Sequence, residues 1–318
     1  MEPGRASNPA GWYRFTTRSP AGHICAAALA ALALLGAAPA SGATGILAIG
    51  DFGVGGERQR LTGSAVERFA DRRPVDALVT LGDNDYTERP ARFRANWLGS
   101  FGWAAADGLL VAGTLGNHDI RVDGGSYEFE LLGMPGRYYQ HRLGDVELFL
   151  LDSNRLDKAQ LVWLDAALDA TDALWTVVAM HHPAYSCGGY LGTRRVRERL
   201  VPIFAEHEVD VVLAAHDHNY QRFAKRDGVA YVVNGGGGAN LYQLRRCPSR
   251  FPRRVRAYEK HGWLYLRARS DALVVRAIGP WGGVQDRLEI ELRPGDDAPT
   301  GCHGWFEGRT QGALIPEV

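Results

Sequence analysis

The sequence predicts a layered α/β fold in which strands alternate with helices along most of the chain. From Gly45 onward, short apolar runs alternate with longer amphipathic stretches, and several of the apolar runs end in Gly or Ala followed by a polar residue. This alternation is typical of sheets covered by helices. With 318 residues, of which 46% are hydrophobic and 23% charged, the chain can bury a large core without metal or disulfide crosslinks. The composition excludes a largely disordered or collagen-like protein.

The amino terminus has the features of a secretory signal peptide. Arg5, Arg14 and Arg18 precede an apolar run, 24–40, that ends in small residues. The run is shorter than the roughly 20 residues that a helix needs to cross a bilayer. We therefore expect residues 1–43 to be cleaved and the mature protein to be secreted or periplasmic, with no membrane span after cleavage; an uncleaved membrane anchor is the alternative.

Strands and helices are predicted in order along the rest of the chain. Six apolar runs are predicted to be buried strands, at 46–50, 77–81, 109–115, 146–151, 174–180 and 209–215. Helices are predicted between several of them, at 57–71, 90–100, 158–170 and 193–207. After His218, closely spaced strands without helices, at 229–235, 263–270, 272–279 and 286–292, predict an antiparallel second sheet. We expect one catalytic domain over 44–294 and a tail over 295–318.

The charge balance argues against nucleic acid as a partner. Lys+Arg and Asp+Glu are both 36, so the formal net charge is zero. The arginine-rich segment 245–256 is expected to be an exposed loop or a basic rim that attracts an anionic substrate, and less readily a nucleic-acid patch. The glycine run 235–238 either lets backbone approach a bound substrate or is a flexible strand exit.

Three cysteines remain after loss of Cys25 with the signal peptide. An oxidising compartment would allow one disulfide among Cys187, Cys247 and Cys302 and leave one thiol over. We favour Cys187 with Cys247, because both lie on loops that leave strand ends expected to face the same site. Cys302 with Cys247 is the alternative.

Polar side chains follow five of the predicted strands. The strand ends carry Asp51, Asp83, Asn117 with His118, His181 with His182, and His216 with His218. Each of these alone has an ordinary explanation as a turn, a helix cap or a strand end. Because ligands collect at the carboxyl ends of strands in open α/β sheets, the recurrence of such residues at five ends predicts a shared site.

The donor types in this set predict a dinuclear metal centre. Carboxylates, an amide oxygen and imidazoles suit Fe, Mn and Zn, and the lack of cysteine at these strand ends argues against a closed structural zinc site. The donors outnumber those that one ion normally takes, which two ions sharing a bridging carboxylate would explain. Two-metal sites of this kind stabilise in-line phosphoryl displacement.

The order of the motifs resembles that of the calcineurin-like metallophosphoesterases. The matching blocks are GDFG (50–53), GDNDY (82–86), GNHD (116–119), AMHHPAYS (179–186) and AHDHNYQR (215–222). The resemblance implies a four-layer α-β-β-α sandwich with two central mixed sheets. It also implies a hydrolase that acts on a small phosphorylated substrate.

Two positions indicate the purple acid phosphatase subclass, similar to tartrate-resistant acid phosphatase. General members have Asp-x-His in the first block, whereas position 53 here is Gly. Tyr86 stands three residues after Asp83, where purple acid phosphatases carry a tyrosinate ligand. A phenolate is a hard donor suited to Fe(III), so the cofactors implied are Fe(III) plus a divalent Fe, Zn or Mn.

The resemblance also implies a role for each site residue. The first metal would take Asp51, Asp83, Tyr86 and His218, and the second would take Asp83, Asn117, His181 and His216, with Asp83 bridging. A metal-bound hydroxide would attack a phosphate monoester in line. His118 would contact the phosphate.

One position departs from the family pattern. Nine residues after His181, where relatives often carry another histidine, the chain has Tyr190. The general acid is therefore open among His118, which we favour, His182, Tyr190 and solvent. Alternatives to a phosphomonoesterase are a phosphodiesterase or pyrophosphohydrolase on the same scaffold, and a non-catalytic extracellular binding protein.

Overall fold

The strands form two sheets in the computed structural model, which describes residues 43–293. The signal-peptide prediction, apart from Ala43, and the predicted tail lie outside the described residues, as do Cys25 and Cys302. Within residues 43–293, no helix is both long and apolar enough to span a bilayer.

The first sheet has six strands in the order β13-β12-β11-β1-β2-β3. Strands β1, β2 and β3 are parallel to one another, whereas β11, β12 and β13 extend the sheet from β1 in antiparallel fashion. The bounds are β1 Thr44–Ile49, β2 Ala77–Thr80, β3 Leu110–Ala112, β11 Trp263–Ala268, β12 Ala272–Ile278 and β13 Val284–Glu291.

The second sheet has seven strands in the order β10-β8-β9-β7-β6-β5-β4. Strands β5, β6, β7 and β9 are parallel, and β4, β8 and β10 join them in antiparallel pairs. The bounds are β4 Tyr139–Leu143, β5 Val146–Leu150, β6 Trp175–Ala179, β7 Val211–Ala214, β8 Tyr220–Phe223, β9 Ala230–Asn234 and β10 Arg254–Tyr258. Both sheets are therefore mixed, as predicted.

The helices are short and lie between these strands in the chain. They are α1 Gly56–Ala70, α2 Pro90–Leu98, α3 Gly102–Ala106, α4 Lys158–Ala170, α5 Arg194–Arg199 and α6 Val201–Glu206. Asp157 starts α4 by accepting a hydrogen bond from the backbone N–H of Gln160, an N-cap that satisfies a free helix donor. Pro90 opens α2, where its missing N–H is not needed.

Alternation along the strands divides the core into two clusters. In β6, Val177 and Ala179 join the cluster that includes side chains of both sheets, whereas Val178 packs with α4, α5 and α6 in a second cluster. Side chains of successive strand residues point to opposite faces, so the second sheet has the first sheet on one face and these helices on the other. The side chains of α1 and α2 pack with the first sheet. This arrangement confirms the layered prediction.

The prediction of a separate antiparallel sheet after His218 is wrong. Strand β9 pairs in parallel with β7 in the second sheet, whereas β11 to β13 complete the first sheet. Local alternation predicts a strand but not its partner, because pairing depends on contacts far apart in the chain.

Three local predictions also needed correction. The predicted helix 193–207 is two helices that meet at Leu200, with Pro202 at the start of the second. The predicted strand 109–115 is a strand only at Leu110–Ala112. The arginine-rich loop contributes Arg254 and Arg256 to β10, at the edge of the second sheet, where charged residues are usual.

Candidate metal centre

The polar residues that follow the strands of both sheets meet where the carboxyl ends of β1, β2, β6 and β7 come together. Asp51 and Asp83 follow β1 and β2 of the first sheet, and His181 and His216 follow β6 and β7 of the second. The ends of β1 and β7 approach so closely that a Cβ added at Gly50 would lie 2.3 Å from Cβ of Ala215. The convergence predicted from strand ends is therefore present.

Three of the predicted ligands have an unusual backbone conformation. Asp51, Asp83 and His216 have φ of 57°, 52° and 69°. Asp, Asn and His adopt this left-handed region more readily than other non-glycine residues. Such conformations cost free energy and concentrate at functional sites.

The first cluster of donors consists of Asp51, Tyr86 and His218. The Tyr86 hydroxyl lies 3.0 Å from Oδ1 of Asp51 and 3.1 Å from Nε2 of His218, and these last two atoms are 3.3 Å apart. Nδ1 of His218 lies 2.8 Å from the carbonyl oxygen of Asn240. When Nδ1–H donates to that carbonyl, the neutral ring presents its lone pair at Nε2, toward Asp51 and Tyr86.

The second cluster consists of Asn117, His181 and His216. Nε2 of His181 lies 3.2 Å from Oδ1 of Asn117 and 3.1 Å from Nδ1 of His216. Nδ1 of His181 lies 2.9 Å from the carbonyl oxygen of Leu81. With Nδ1–H donating there, Nε2 of His181 is a lone-pair donor that faces other possible metal ligands.

Asp83 lies next to both clusters. Its Oδ1 is 3.5 Å from Nε2 of His181 and accepts a hydrogen bond from the backbone N–H of His118 at 2.9 Å. Ligand atoms of Asp51, Asp83 and His181 all lie within 4.8 Å of one another. The glycine before Asn117 permits this approach, because a Cβ at Gly116 would lie 2.2 Å from Oδ1 of Asp83.

These residues fit a pair of metal ions. Two ligands about 2.1 Å from one ion, at right to near-tetrahedral angles, lie roughly 3.0–3.4 Å apart, and the contacts within each cluster fall close to this range. Lone pairs that face one another over such distances repel unless a cation or proton lies between them. The donor set of carboxylates, phenol, amide and imidazoles suits Fe, Mn or Zn.

Burial shifts the pKa values of several cluster residues, namely Asp51, Tyr86, His181 and His216. Burial raises the pKa of Asp51 to about 7, with a contribution from the charge of Asp83. Burial also lowers the pKa of His216 to about 3 and holds that of His181 well below its ordinary value. Both imidazoles are therefore neutral and able to bind metal. The pKa of Tyr86 is raised by burial and by the carboxylates nearby, so its ionisation requires a cation.

The other predicted site residues lie around the clusters. The His118 ring is 4.4 Å from that of Tyr86, and burial lowers its pKa. The His182 ring lies 4.6 Å from that of His216, and Nδ1 of His182 is 2.9 Å from Oγ of Ser153. His181, His182 and His216 form a second group whose ligand atoms lie within 4.8 Å of one another. Tyr190, 45% exposed, stacks on His216 at 4.3 Å.

Sequence reasoning missed several residues that support the clusters. Tyr242 stacks on the His218 ring at 4.1 Å, and no local pattern marks it. Asp217 is fully buried between His216 and His218, where it accepts hydrogen bonds from Ser186 and from the backbone N–H of Gly189. In contrast, the pairing of Cys187 with Cys247 was favoured from the sequence, and a disulfide joins these two residues in the same loop region.

A buried carboxylate pair lies behind Asn117 and His118. Asp119 accepts hydrogen bonds from the backbone N–H groups of Gly116 and Asp85 at 2.7 and 2.9 Å, and Asn84 donates to both Asp119 and Glu128. Burial raises the pKa of Asp119 to about 8 and that of Glu128 well above its ordinary value. These contacts fix the loop that carries Asn117. Asp119 belongs to the GNHD block, but no local pattern indicated that it would fix this loop.

The model of the calcineurin-like phosphoesterase family matches residues 25–220. The chain therefore belongs to this family, as the motifs indicated, and is a hydrolase that acts on phosphoric esters.

Its curated relatives include purple acid phosphatases. Purple acid phosphatase 17 of Arabidopsis thaliana is 24% identical over 277 residues, which cover 75% of this chain and 82% of the relative. Tartrate-resistant acid phosphatase type 5 of Rattus norvegicus is 26% identical over 281 residues, which cover 74% of this chain and 85% of the relative. These relatives agree with the subclass that Tyr86 indicated.

Solved structures share the fold at low sequence identity. A purple acid phosphatase from seeds of yellow lupin superposes with a TM-score of 0.64 at 17% identity, over 83% of this chain and 57% of that one. A dimetal phosphatase of Danio rerio gives a TM-score of 0.59 at 15% identity, over 79% and 99% of the two chains. The four-layer fold predicted from the motifs is thereby confirmed.

Proposed function

We propose that this protein is a secreted dinuclear-metal phosphatase that hydrolyses phosphate monoesters. The observation that carries this proposal is the pair of donor clusters on either side of Asp83. A non-catalytic binding protein would not need seven metal-competent side chains within contact distance, three of them in a costly backbone conformation.

We assign the ligands by cluster. Asp51, Asp83, Tyr86 and His218 would hold Fe(III), and Asp83, Asn117, His181 and His216 would hold a divalent Fe, Zn or Mn ion. Bound there, the two ions would neutralise phosphate charge and lower the pKa of water so that it can act as the nucleophile.

The protein's own groups would position the substrate and move the proton. Asn117 and His118 lie on the loop tied to Asp83, so a phosphate at the clusters contacts that loop. We infer that the His118 imidazole donates a proton to the leaving oxygen. His182 has Ser153 as its ring partner and His216 as its neighbour, which leaves it a supporting role beside the phosphate.

A cavity beside the first cluster provides room for the rest of the substrate. It has a volume of about 510 Å³ and is lined by Arg58, Tyr86, His218, Asn240 and Tyr242, among others. Apart from the cluster residues, the charged side chain in this lining is that of Arg58. Its positive charge favours an anionic substrate.

The Cys187–Cys247 disulfide supports export. Disulfides persist in oxidising compartments, which agrees with the signal peptide expected at residues 1–43. N-terminal sequencing of exported protein would test the cleavage, with a start near residue 41 or 44 expected and a start within residues 1–30 contradicting it.

Activity measurements test the proposed reaction directly. We expect purified, metal-loaded protein to hydrolyse p-nitrophenyl phosphate, to prefer it over bis(p-nitrophenyl) phosphate, and to lose activity when the metal is chelated. Preference for the diester would assign the site to a phosphodiesterase. Failure to hydrolyse any phosphate ester with both metals bound would contradict the proposal.

A further inference from the structure

An apolar groove runs alongside α1, next to the cavity of the donor clusters. We define the α1 groove by the side chains of Leu61, Ala65, Trp263, Pro280 and Trp281, which line a volume of about 250 Å³ together with neighbouring residues. Nothing in the proposed reaction uses this groove.

Arg58 forms a wall of both cavities. Its Nη1 donates to the side-chain oxygen of Asn240 at 3.0 Å and to the carbonyl oxygen of Gly238 at 3.3 Å. Asn240 is the same residue whose carbonyl oxygen lies 2.8 Å from Nδ1 of His218. The α1 groove is therefore connected to His218 of the first donor cluster through Arg58 and Asn240.

The groove combines a buried apolar base with exposed apolar walls. Trp263 is buried at its base, whereas Leu61 and Trp281 are 62% and 96% exposed. Large apolar side chains grouped at the surface usually mark a binding site. The charged residues that line the groove are Arg58 and Arg68, so an anionic amphiphile meets no carboxylate in this lining.

The groove extends along α1 far enough to hold a short alkyl chain. Leu61 lies about one helical turn from Arg58, and Ala65 lies seven residues from it, which corresponds to about 10 Å along α1. An extended leaving group whose phosphate lies at the donor clusters would pass Arg58 and enter the groove.

We propose that the α1 groove binds the apolar part of the leaving group, so that the preferred substrates are phosphate monoesters of elongated alkyl or alkylaryl alcohols. In their hydrolysis, water oxygen bonds to phosphorus as the bond from phosphorus to the ester oxygen breaks, and that oxygen takes up a proton. The inference rests on the proposed function and adds the class of leaving group to it.

A series of 4-alkylphenyl phosphates tests the inference. The methyl, propyl, pentyl and heptyl compounds share nearly the same phenol as leaving group, so differences between them report binding of the chain. We expect kcat/KM to rise about two- to fourfold per methylene until the groove is filled, the upper figure corresponding to complete burial. The rise should come mainly from a lower KM.

Variants separate the groove from the reaction centre. Leu61→Ser and Trp281→Ser should each flatten the dependence on chain length while leaving kcat/KM for the methyl compound within twofold of wild type. Unchanged turnover of the methyl compound also shows that the variants fold. Val162→Ser is the matched control, because Val162 is 58% exposed but lies on α4 and does not line the groove.

The results distinguish failure of this inference from failure of the proposed function. A flat series in the wild type, or a dependence on chain length that survives in both groove variants, would overturn the inference while leaving the phosphatase intact. A flat series combined with Trp281-dependent dimerisation, or Trp281-dependent binding to phosphatidylcholine–phosphatidylglycerol vesicles, would assign the groove to another occupant and also overturn it. Loss of hydrolysis for every compound and for p-nitrophenyl phosphate would contradict both.

Discussion

The hydroxyl of Tyr86 lies 3.0 Å from Oδ1 of Asp51, which follows a neighbouring strand 35 residues earlier in the chain. Gly53, two residues after Asp51, permits the approach, since a Cβ there would lie 2.1 Å from the carbonyl oxygen of Asn84. A histidine at position 53 would therefore clash with the segment that carries Tyr86. The close packing of the two segments therefore requires glycine at position 53, where the family otherwise carries a histidine ligand.

Tyr86→Phe should remove the colour of the iron-loaded protein. If the Tyr86 phenolate binds Fe(III), the wild type should show a visible charge-transfer band, and the variant should lose it because the ring stays while the donor oxygen is gone. Activity should fall only partly, because Asp51, Asp83 and His218 remain. Absorption spectra of oxidised protein with its iron content measured provide the check.

The control for this experiment is Tyr242→Phe. Tyr242 stacks on the ring of His218 but contributes no oxygen to the first cluster, so its variant should keep the band. Fully iron-loaded, oxidised, active wild type without colour would exclude a tyrosinate ligand.

His118→Ala should reduce kcat by about 100-fold or more while both metal ions remain bound. The loss is the usual contribution of a general acid, and the backbone N–H that His118 donates to Asp83 is unchanged by the substitution. His207→Ala is the control, because His207 pairs with Asp165 at 2.8 Å and is not among the donors of the two clusters. Steady-state rates and metal content should be measured on the same preparations; loss of metal from His118→Ala would show that the imidazole has a structural or ligand role.

Asp286→Asn should destabilise the fold at neutral pH and much less in acid. Arg222 donates to both carboxylate oxygens of Asp286 at 2.6 and 2.9 Å, and the Tyr220 hydroxyl donates at 2.8 Å. Burial alone would raise the pKa of Asp286, but these hydrogen bonds bring it below its ordinary value of 3.8. The stabilisation is therefore complete above that value and is lost as pH falls through the lower folded-state pKa.

Denaturant titrations of both proteins across pH measure this effect. One hydrogen bond to a charged group contributes roughly 1.5–3 kcal/mol, and three end on Asp286, so we expect a difference of roughly 1.5–3 kcal/mol or more at pH 7 that shrinks below pH 4. A difference in the free energy of unfolding that stays constant from pH 7 to pH 3 would show that the charge of Asp286 is not what stabilises the fold.

The sequence predicted which side chains gather in the two donor clusters better than it predicted the residues around them. Strand ends could be recognised because apolar runs stop at Gly or Ala before Asp51, Asp83 and His216, and parallel strands bring such ends together. Tyr242 and the carbonyl group of Asn240 were missed, because they reach His218 through loop contacts that no local pattern records.

In the fold, likewise, strands could be predicted from local sequence, whereas their pairing partners could not. Strands β9, β11, β12 and β13 were recognised from their alternation, but β9 and β11 belong to different sheets, which only long-range pairing decides. Strand β10 was hidden by its arginines, since an edge strand keeps charged side chains in solvent and so lacks the apolar alternation of a buried strand.

The metal content of wild type and of Asp83→Asn shows whether Asp83 joins two metal sites. Asparagine accepts the positive φ of 52° at this position better than alanine would, but as a neutral amide it is a much poorer bridging ligand than a carboxylate. Elemental analysis should find two metal ions per wild-type chain and clearly fewer than one per Asp83→Asn chain, with both proteins folded. Two ions retained by Asp83→Asn, or a single ion in fully active wild type, would show that Asp83 does not bridge two metal ions.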